Sequence, residues 1–274
     1  MNTAPVTRTA RRAQRRLLRP RWRDAFAFEI TRHYTVPAPW LMMAAVVLVG
    51  AGSAALAVLL AQALADAAHG GLHVDAASLF RAAPTSGASA MFVVAGVLGV
   101  YVSSSDRSTG GSHLTNLAVP SARRLLAARL GAVGAVTSGV ALATFLVCVI
   151  VVGGLAALLD HRPPSFTVEI TRGAHLTLGA VAVSWIGTAI GVLLPSGPLA
   201  YGTFLAIGWL APTALRAVRA PAAIIDLLPV DRAATLAGAD GASTPITYIV
   251  PFAWAAVLCG LAWLMASVST RRQP

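Results

Sequence analysis

The sequence predicts an all-α, polytopic membrane protein: six transmembrane helices, an N-terminal amphipathic interfacial helix and a re-entrant segment before the last span. Three observations carry that prediction. Apolar stretches fill 40–62, 87–103, 130–159, 174–194, 199–215 and 246–267, each near the ~20 residues a helix needs to cross roughly 30 Å of hydrocarbon. The chain is 57% hydrophobic and 11% charged, with a mean hydropathy of +0.72, whereas a soluble domain carries about 25% charged residues. Finally, the charges alternate between the connecting segments. All 21 basic residues are arginine, and 15 of them lie before Trp40, between spans two and three, or after span six, with three acids (Asp24, Glu29, Asp106). The other connections hold six arginines and seven acids. Basic residues near span ends mark the cytoplasmic side, so both termini are expected in the cytoplasm and the protein in the cell membrane.

Residues 1–20 read as a disordered basic tail. Arg8, Arg11, Arg12, Arg15, Arg16 and Arg19 suit anionic lipid headgroups, and no nucleic-acid partner is expected. Residues 21–39 read as an amphipathic helix, because Trp22, Phe26, Ile30 and Tyr34 recur every fourth position, placing aromatic rings at headgroup depth. Pro37 and Pro39 then turn the chain into the six-span domain, 40–267. The first apolar run is too long for a signal-peptide h-region and starts far from the arginine pairs. A loop at 63–86 leads to span two, and 103–128 forms the one sizeable internal loop. Pro195-Ser196-Gly197-Pro198 is a tight turn between spans four and five. The segment 211–245 mixes Pro212, Pro221, Pro229 and Pro245 with an apolar piece, Ala222–Leu228, too short to span. It reads as a re-entrant or surface-lying helix that protein or water must cover. Residues 268–274 form a cytoplasmic tail.

The span cores lack Asp, Glu, Lys and Arg, offering Gln62, serines, threonines and a near-terminal His175. Ion-driven carriers place ionisable groups there, so that class is disfavoured. Ser89, in Gly87-Ala88-Ser89-Ala90, has no histidine in span six to serve as its base and reads as a packing residue. Asp66, His69, His73 and Asp75 have metal-ligand character, but Gly70-Gly71 breaks the helix that would align them. Cys148 and Cys259 lie inside spans and read as small packing residues. A Lys-containing phosphate loop is impossible in a chain without lysine. No catalytic residue, metal or cofactor is therefore expected on this chain, and any transport must draw its energy from another polypeptide.

The run Val93–Leu130 contains Asp106, Gly110, Thr115, Pro120, Arg123, Arg124 and Arg129. In that order it resembles the membrane subunits of bacterial ATP-binding-cassette exporters of the type-2 permease family. An acidic residue leaves span two, a Gly and a Thr follow, and a small-Pro-x-x-Arg-Arg patch enters span three. The chain has Asp where Glu is commoner, with Arg107 directly after it, and Arg129 where Lys is frequent. About 40 residues carry this detail. The resemblance also takes in Glu29 and Arg32 before an aromatic residue, the six-span count and the external segment before span six.

The resemblance implies a permease paired with a second copy or paralogue, above two ATPase subunits that bind ATP and Mg themselves. Segments 21–36 and 104–124 would pass the ATPase motion to the spans, through Glu29, Arg32, Asp106, Arg107, Gly110, Pro120, Arg123 and Arg124. Gly110-Gly111 would end one short helix and Pro120 begin another, and Arg123 and Arg124 would pair with ATPase carboxylates or lipid phosphates. The segment 222–237 would gate the external mouth through Ile225 and Leu228. Export of an amphipathic or hydrophobic drug, lipid or peptide fits the apolar interior with Trp185, Trp209, Trp254 and Trp263. The alternative is a non-transport membrane protein: an anchor, an immunity factor or an accessory subunit.

Overall fold

The computed structural model describes residues 22–68, 83–108, 121–158, 166–238 and 245–269, and the regular structure among them is helical. The basic tail 1–20, the loop residues 69–82 and 109–120, and the tail 270–274 lie outside the described residues. Helix α1 is Trp22–Thr35, α2 Pro37–Ala68, α3 Ala88–Ser108, α4 Ala122–Leu158 and α5 Phe166–Leu193. Then come α6 Gly197–Leu205, α7 Ala211–Ala217, α8 Ala222–Ile225, α9 Pro229–Gly238 and α10 Pro245–Ser269. Six helical stretches are long and apolar enough to cross a membrane: Pro37–Leu64, Ala88–Asp106, Ala122–Leu158, Ile170–Leu193, Gly197–Ala217 and Ile246–Ser267. The chain is a multi-pass membrane protein.

Several helices run past their apolar stretches, α2 to Ala68, α3 to Ser108 and α5 from Phe166, and two starts show why. Helix α2 starts at Pro37, since a proline in the first turn gives up an N–H that has no helical partner anyway. Helix α4 starts at Ala122, eight residues before the apolar run. Arg123, Arg124 and Arg129 are good helix formers, so their charge marks a change of surroundings rather than the end of the helix.

The fifth span is composite. Between α6 and α7, residues Ala206–Leu210 form a π turn. Pro212 lacks a donor, and its ring would collide with the carbonyl of Gly208 in a regular α-helix. Widening one turn removes the collision.

Spans two and four form the centre of the bundle, with 67% of their apolar stretch buried against 22–33% in the other four. Helices α3 and α5 approach closely along Gly96 and Gly99 on one side and Gly187 and Gly191 on the other. A Cβ on Gly187 would lie 2.0 Å from the carbonyl oxygen of Gly96, and one on Gly99 would lie 2.2 Å from that of Ser184. Apolar residues gain little from leaving lipid, so membrane helices associate through close packing of small residues. The hydroxyls in this seam donate within their own helices: Ser103 to Gly99 O (2.9 Å), Ser104 to Val100 O (2.8 Å) and Thr188 to Ser184 O (2.8 Å). Phe204 of α6 lays its ring on Gly96 and completes the core with Phe92 and Ile186. Outer faces carry Leu41, Leu48, Leu146, Ile150 and Leu264, all exposed, as lipid-contacting residues are.

The proline-rich segment before the last span divides in two. Helix α8 buries nothing. Helix α9 packs Val230, Ala233, Leu236 and Ala237 among α3, α5 and α10. The Trp254 indole of α10 donates to the carbonyl of Leu227 at 2.9 Å, fixing the link between α8 and α9.

The α3–α5 seam yields a direct prediction. Gly187→Leu drives a side chain into the Gly96 backbone, an obstacle that cannot rotate away, and exceeds the usual 1–3 kcal/mol cost of overpacking. Little folded protein should survive size-exclusion chromatography in detergent. Gly260→Leu, where a Cβ meets nothing within 4 Å, should elute like wild type.

Candidate functional site

Helix α1 turns its polar side inward. Ala25, Glu29 and His33, spaced four apart, are its buried residues. The aromatic stripe at the same spacing is exposed only at its ends, with Trp22 and Tyr34 49% and 61% exposed, while Phe26 and Ile30 are half-buried. Trp22 and Phe26 stack at 5.2 Å beside Gly131 of α4, where a Cβ would sit 3.3 Å from Phe26.

Four ionised side chains from three helices meet beneath this face. Glu29 is completely buried, and Asp106 at the end of span two and Arg129 in the third turn of α4 are each 7% exposed. Arg129 Nε donates to Glu29 Oε1 at 3.2 Å, and its Nη2 pairs with Asp106 Oδ2. Arg32 Nη2 lies 2.7 Å from Asp106 Oδ1 and donates to Ser105 Oγ at 2.5 Å, while its Nη1 is 3.8 Å from Glu29 Oε2. Each guanidinium thus faces both carboxylates, and the cluster sums to zero charge. Charge-assisted pairing of this kind is directional, and it ties α1, α3 and α4 together at one end of the bundle.

Three of the residues expected to act in coupling, Glu29, Arg32 and Asp106, are therefore brought together within the chain, Arg32 paired with Asp106 and Glu29 bonded to Arg129. Arg123 and Arg124 stand exposed on the first turn of α4. The Arg123 guanidinium lies 6.0 Å from the ring centroid of Trp263, within cation–π range, which links α4 to the end of α10. Arg107 continues α3, with its side chain outside the described residues, as are Gly110 and Pro120 altogether. The metal candidates His69, His73 and Asp75, and the side chain of Asp66, also lie outside them. Ile225 and Leu228 are half-buried.

Arg129 entered the sequence reading as a matching position and not as the partner of Glu29 and Asp106. A signal for it exists: it falls on the stripe Leu125, Ala128, Ala132 and Val133, all buried. A lone arginine on the buried stripe of a helix demands buried acids.

Toward the opposite end, a cavity of about 400 Å3 lies between α3, the fifth span and α9. Val93, Trp209 and Val230 supply apolar walls, Ser89 lines it, and an Arg216–Asp231 ion pair borders it. Nearby helices α5 and α10 are joined by the Tyr248 hydroxyl and His175 Nε2, 2.5 Å apart. Neither Arg216 nor Asp231 stood out in the sequence, because they meet only when the proline turns fold α9 back onto α7. Among the described residues no group of three His, Cys, Asp or Glu is placed to hold a metal.

No protein-family model matches the chain, and no curated protein matches it by sequence.

The cluster predicts a specific pattern of stability. Arg129→Met leaves two buried carboxylates short of a partner, which costs about 3–5 kcal/mol and should remove most of the folded protein in a thermal-unfolding assay in detergent. Glu29→Gln combined with Arg129→Gln should recover much of that loss, because neighbours in one network are not additive.

Proposed function

We propose that the chain is the transmembrane permease subunit of an ATP-driven exporter, working with a separate ATP-binding-cassette ATPase that carries ATP and Mg. The observation that carries this reading is the buried Glu29–Arg32–Asp106–Arg129 cluster. It joins the entry helix α1 to the base of span two and the first turns of α4, on the end of the bundle where Arg123 and Arg124 face outward. A push on α1 or on the connection between α3 and α4 is then delivered to two spans at once. In this reading that end faces the cytoplasm, as the arginine distribution predicts, and Arg123 and Arg124 meet acidic residues of the ATPase.

A second copy or paralogue completes the path, and the sparsely buried outer spans provide surface for it. The cargo is amphipathic or hydrophobic. The Trp209, Val93 and Val230 walls beside the Arg216–Asp231 pair suit a molecule with an apolar body and a polar end on its way out. The half-buried Ile225 and Leu228 sit on the approach to α9 and act as the external gate.

The decisive test is co-purification of the tagged chain with its ATPase in mild detergent. Wild type should retain the ATPase, and Arg123→Glu with Arg124→Glu should lose at least tenfold of it. Absence of any ATPase across several detergents would move the protein to the non-transport class of anchors and accessory subunits. A separate expectation concerns the gate. Ile225→Asp or Leu228→Asp should reduce efflux in cells challenged with amphipathic compounds while leaving ATPase retention intact. Loss of retention in these variants would remove the gate from the account.

A further inference from the structure

The cavity between α3, the fifth span and α9 is polar at one end and apolar along its length. Gly96 of α3 meets Phe204 of α6, so the start of α3 faces the end of the fifth span. Ser89 and Arg216 therefore share one end of the cavity, and Val93 and Trp209 line it deeper along the same two helices. Arg216 stands seven residues beyond Trp209, about 10 Å at the rise of a helix. The volume of about 400 Å3 falls within the ~300–1,000 Å3 typical of small-molecule sites. Gly208 and Trp209 of this wall belong to the π turn, a distortion frequent at functional sites.

Arg216 is the one base and Asp231 the one acid among the described residues that line the cavity. The two charges are not equally available. The Arg216 side chain is 58% exposed and that of Asp231 18%. A guanidinium has five N–H donors, and the bond to Asp231 is made through Nη2. Asp231 is also the third residue of α9, where a carboxylate offsets the positive end of the helix dipole. Its charge thus answers both Arg216 and the helix. The carbonyls of Ala214, Leu215 and Arg216 at the end of α7 already accept from Val218, Ala220 and Arg219. The exposed Ser89 adds a hydroxyl to the lining, and N–H groups in the first turn of a helix have no acceptor within it. The polar end therefore presents an accessible positive charge and more donors than acceptors.

We propose that this cavity takes an amphiphile with an anionic end, a carboxylate or a phosphate. The anion pairs with Arg216 and Ser89, and the hydrocarbon body lies along Val93 and Trp209. The inference rests on the reading of this cavity as part of the cargo's path, and it gives the sign of the cargo's polar end.

The test is tryptophan fluorescence of the full chain in phosphatidylcholine nanodiscs, titrated with three amphiphiles of equal chain length and a terminal bromine: a carboxylate, a trimethylammonium and an alcohol. Bromine quenches tryptophan on contact, and the quenching lost in Trp209→Phe reports this site. The carboxylate should saturate that signal at about a tenfold lower concentration than the alcohol, the effect of one charge-assisted hydrogen bond, and the ammonium should bind most weakly. Arg216→Gln should remove the advantage of the carboxylate, and Asp231→Asn should increase it. A merely structural ion pair would give both variants the same effect, because both break it. Equal affinity for the three probes, a preference for the ammonium, or the same change in both variants overturns the proposal. If the ion-pair variants do not fold, the three probes on wild type and Trp209→Phe decide. A small admixture of phosphatidylglycerol should leave carboxylate binding unchanged. Its loss would give the site to a bilayer phosphate and overturn the cargo assignment. The assay contains no ATPase, so its failure is distinct from that of the co-purification. ATPase retention without an anion preference overturns this inference alone, and an anion preference without retention upholds the site while removing the permease reading.

Discussion

Two carboxylates and two guanidinium groups buried at one end of a membrane bundle constrain everything around them. None can be withdrawn without leaving an opposite charge uncompensated, and Arg129 is held in orientation by bonds to both acids. Ion pairs of this kind add little net stability, since desolvation offsets most of the Coulomb attraction. Their effect is on geometry. Glu29 must lie beside Arg129, which sets the position of α1 against α4, and Asp106 must lie beside both arginines, which sets the depth at which span two ends. The inward face of α1 follows, and so does the outward placement of Trp22 and Tyr34.

The rest of the bundle is held by a different means. In the middle of the membrane there is no water to exclude, and α3 and α5 are joined by backbone proximity at Gly96, Gly99, Gly187 and Gly191. Span two therefore carries both devices: a close-packed seam along its length and a charged lock at its end. Helix α1 is thus joined to the centre of the protein through α3, and through α4 by way of Arg129. The fifth span is composite. Its π turn at Ala206–Leu210 sits where Val230 of α9 comes within 3.1 Å of a Cβ on Gly208, beside the cavity bordered by Arg216 and Asp231.

Much of the architecture was legible because the bilayer imposes a length. All six apolar stretches are helices of spanning length, and the proline clusters mark the turns around Ser196 and Pro221. Helix α1 was also visible, through the spacing of Trp22, Phe26, Ile30 and Tyr34, but that stripe runs along the flank of the helix, exposed at Trp22 and Tyr34 and half-buried at Phe26 and Ile30. The protein-facing stripe, Ala25–Glu29–His33, has mixed chemistry and no periodic apolar signal. The pairing of Arg129 with acids 23 and 100 residues away depends on tertiary placement. So does the glycine seam: the chain has 24 glycines, and local sequence does not say which four meet. The burial of α9 depends on the folding back of the proline segment, which hydropathy does not encode.

The central claim is that α1 belongs to the bundle through buried charge and is not a basic helix resting on lipid headgroups. Amide hydrogen exchange of the protein in anionic nanodiscs, at 0.05 M and 1 M salt, separates the two most directly. Interactions with headgroups are screened as the Debye length falls to about 3 Å at 1 M, whereas buried pairs are screened far less. The account predicts that residues 22–35 stay protected at both salt concentrations, as slowly exchanging as the first turns of α4. Release of that protection at high salt, with α4 unchanged, would contradict it.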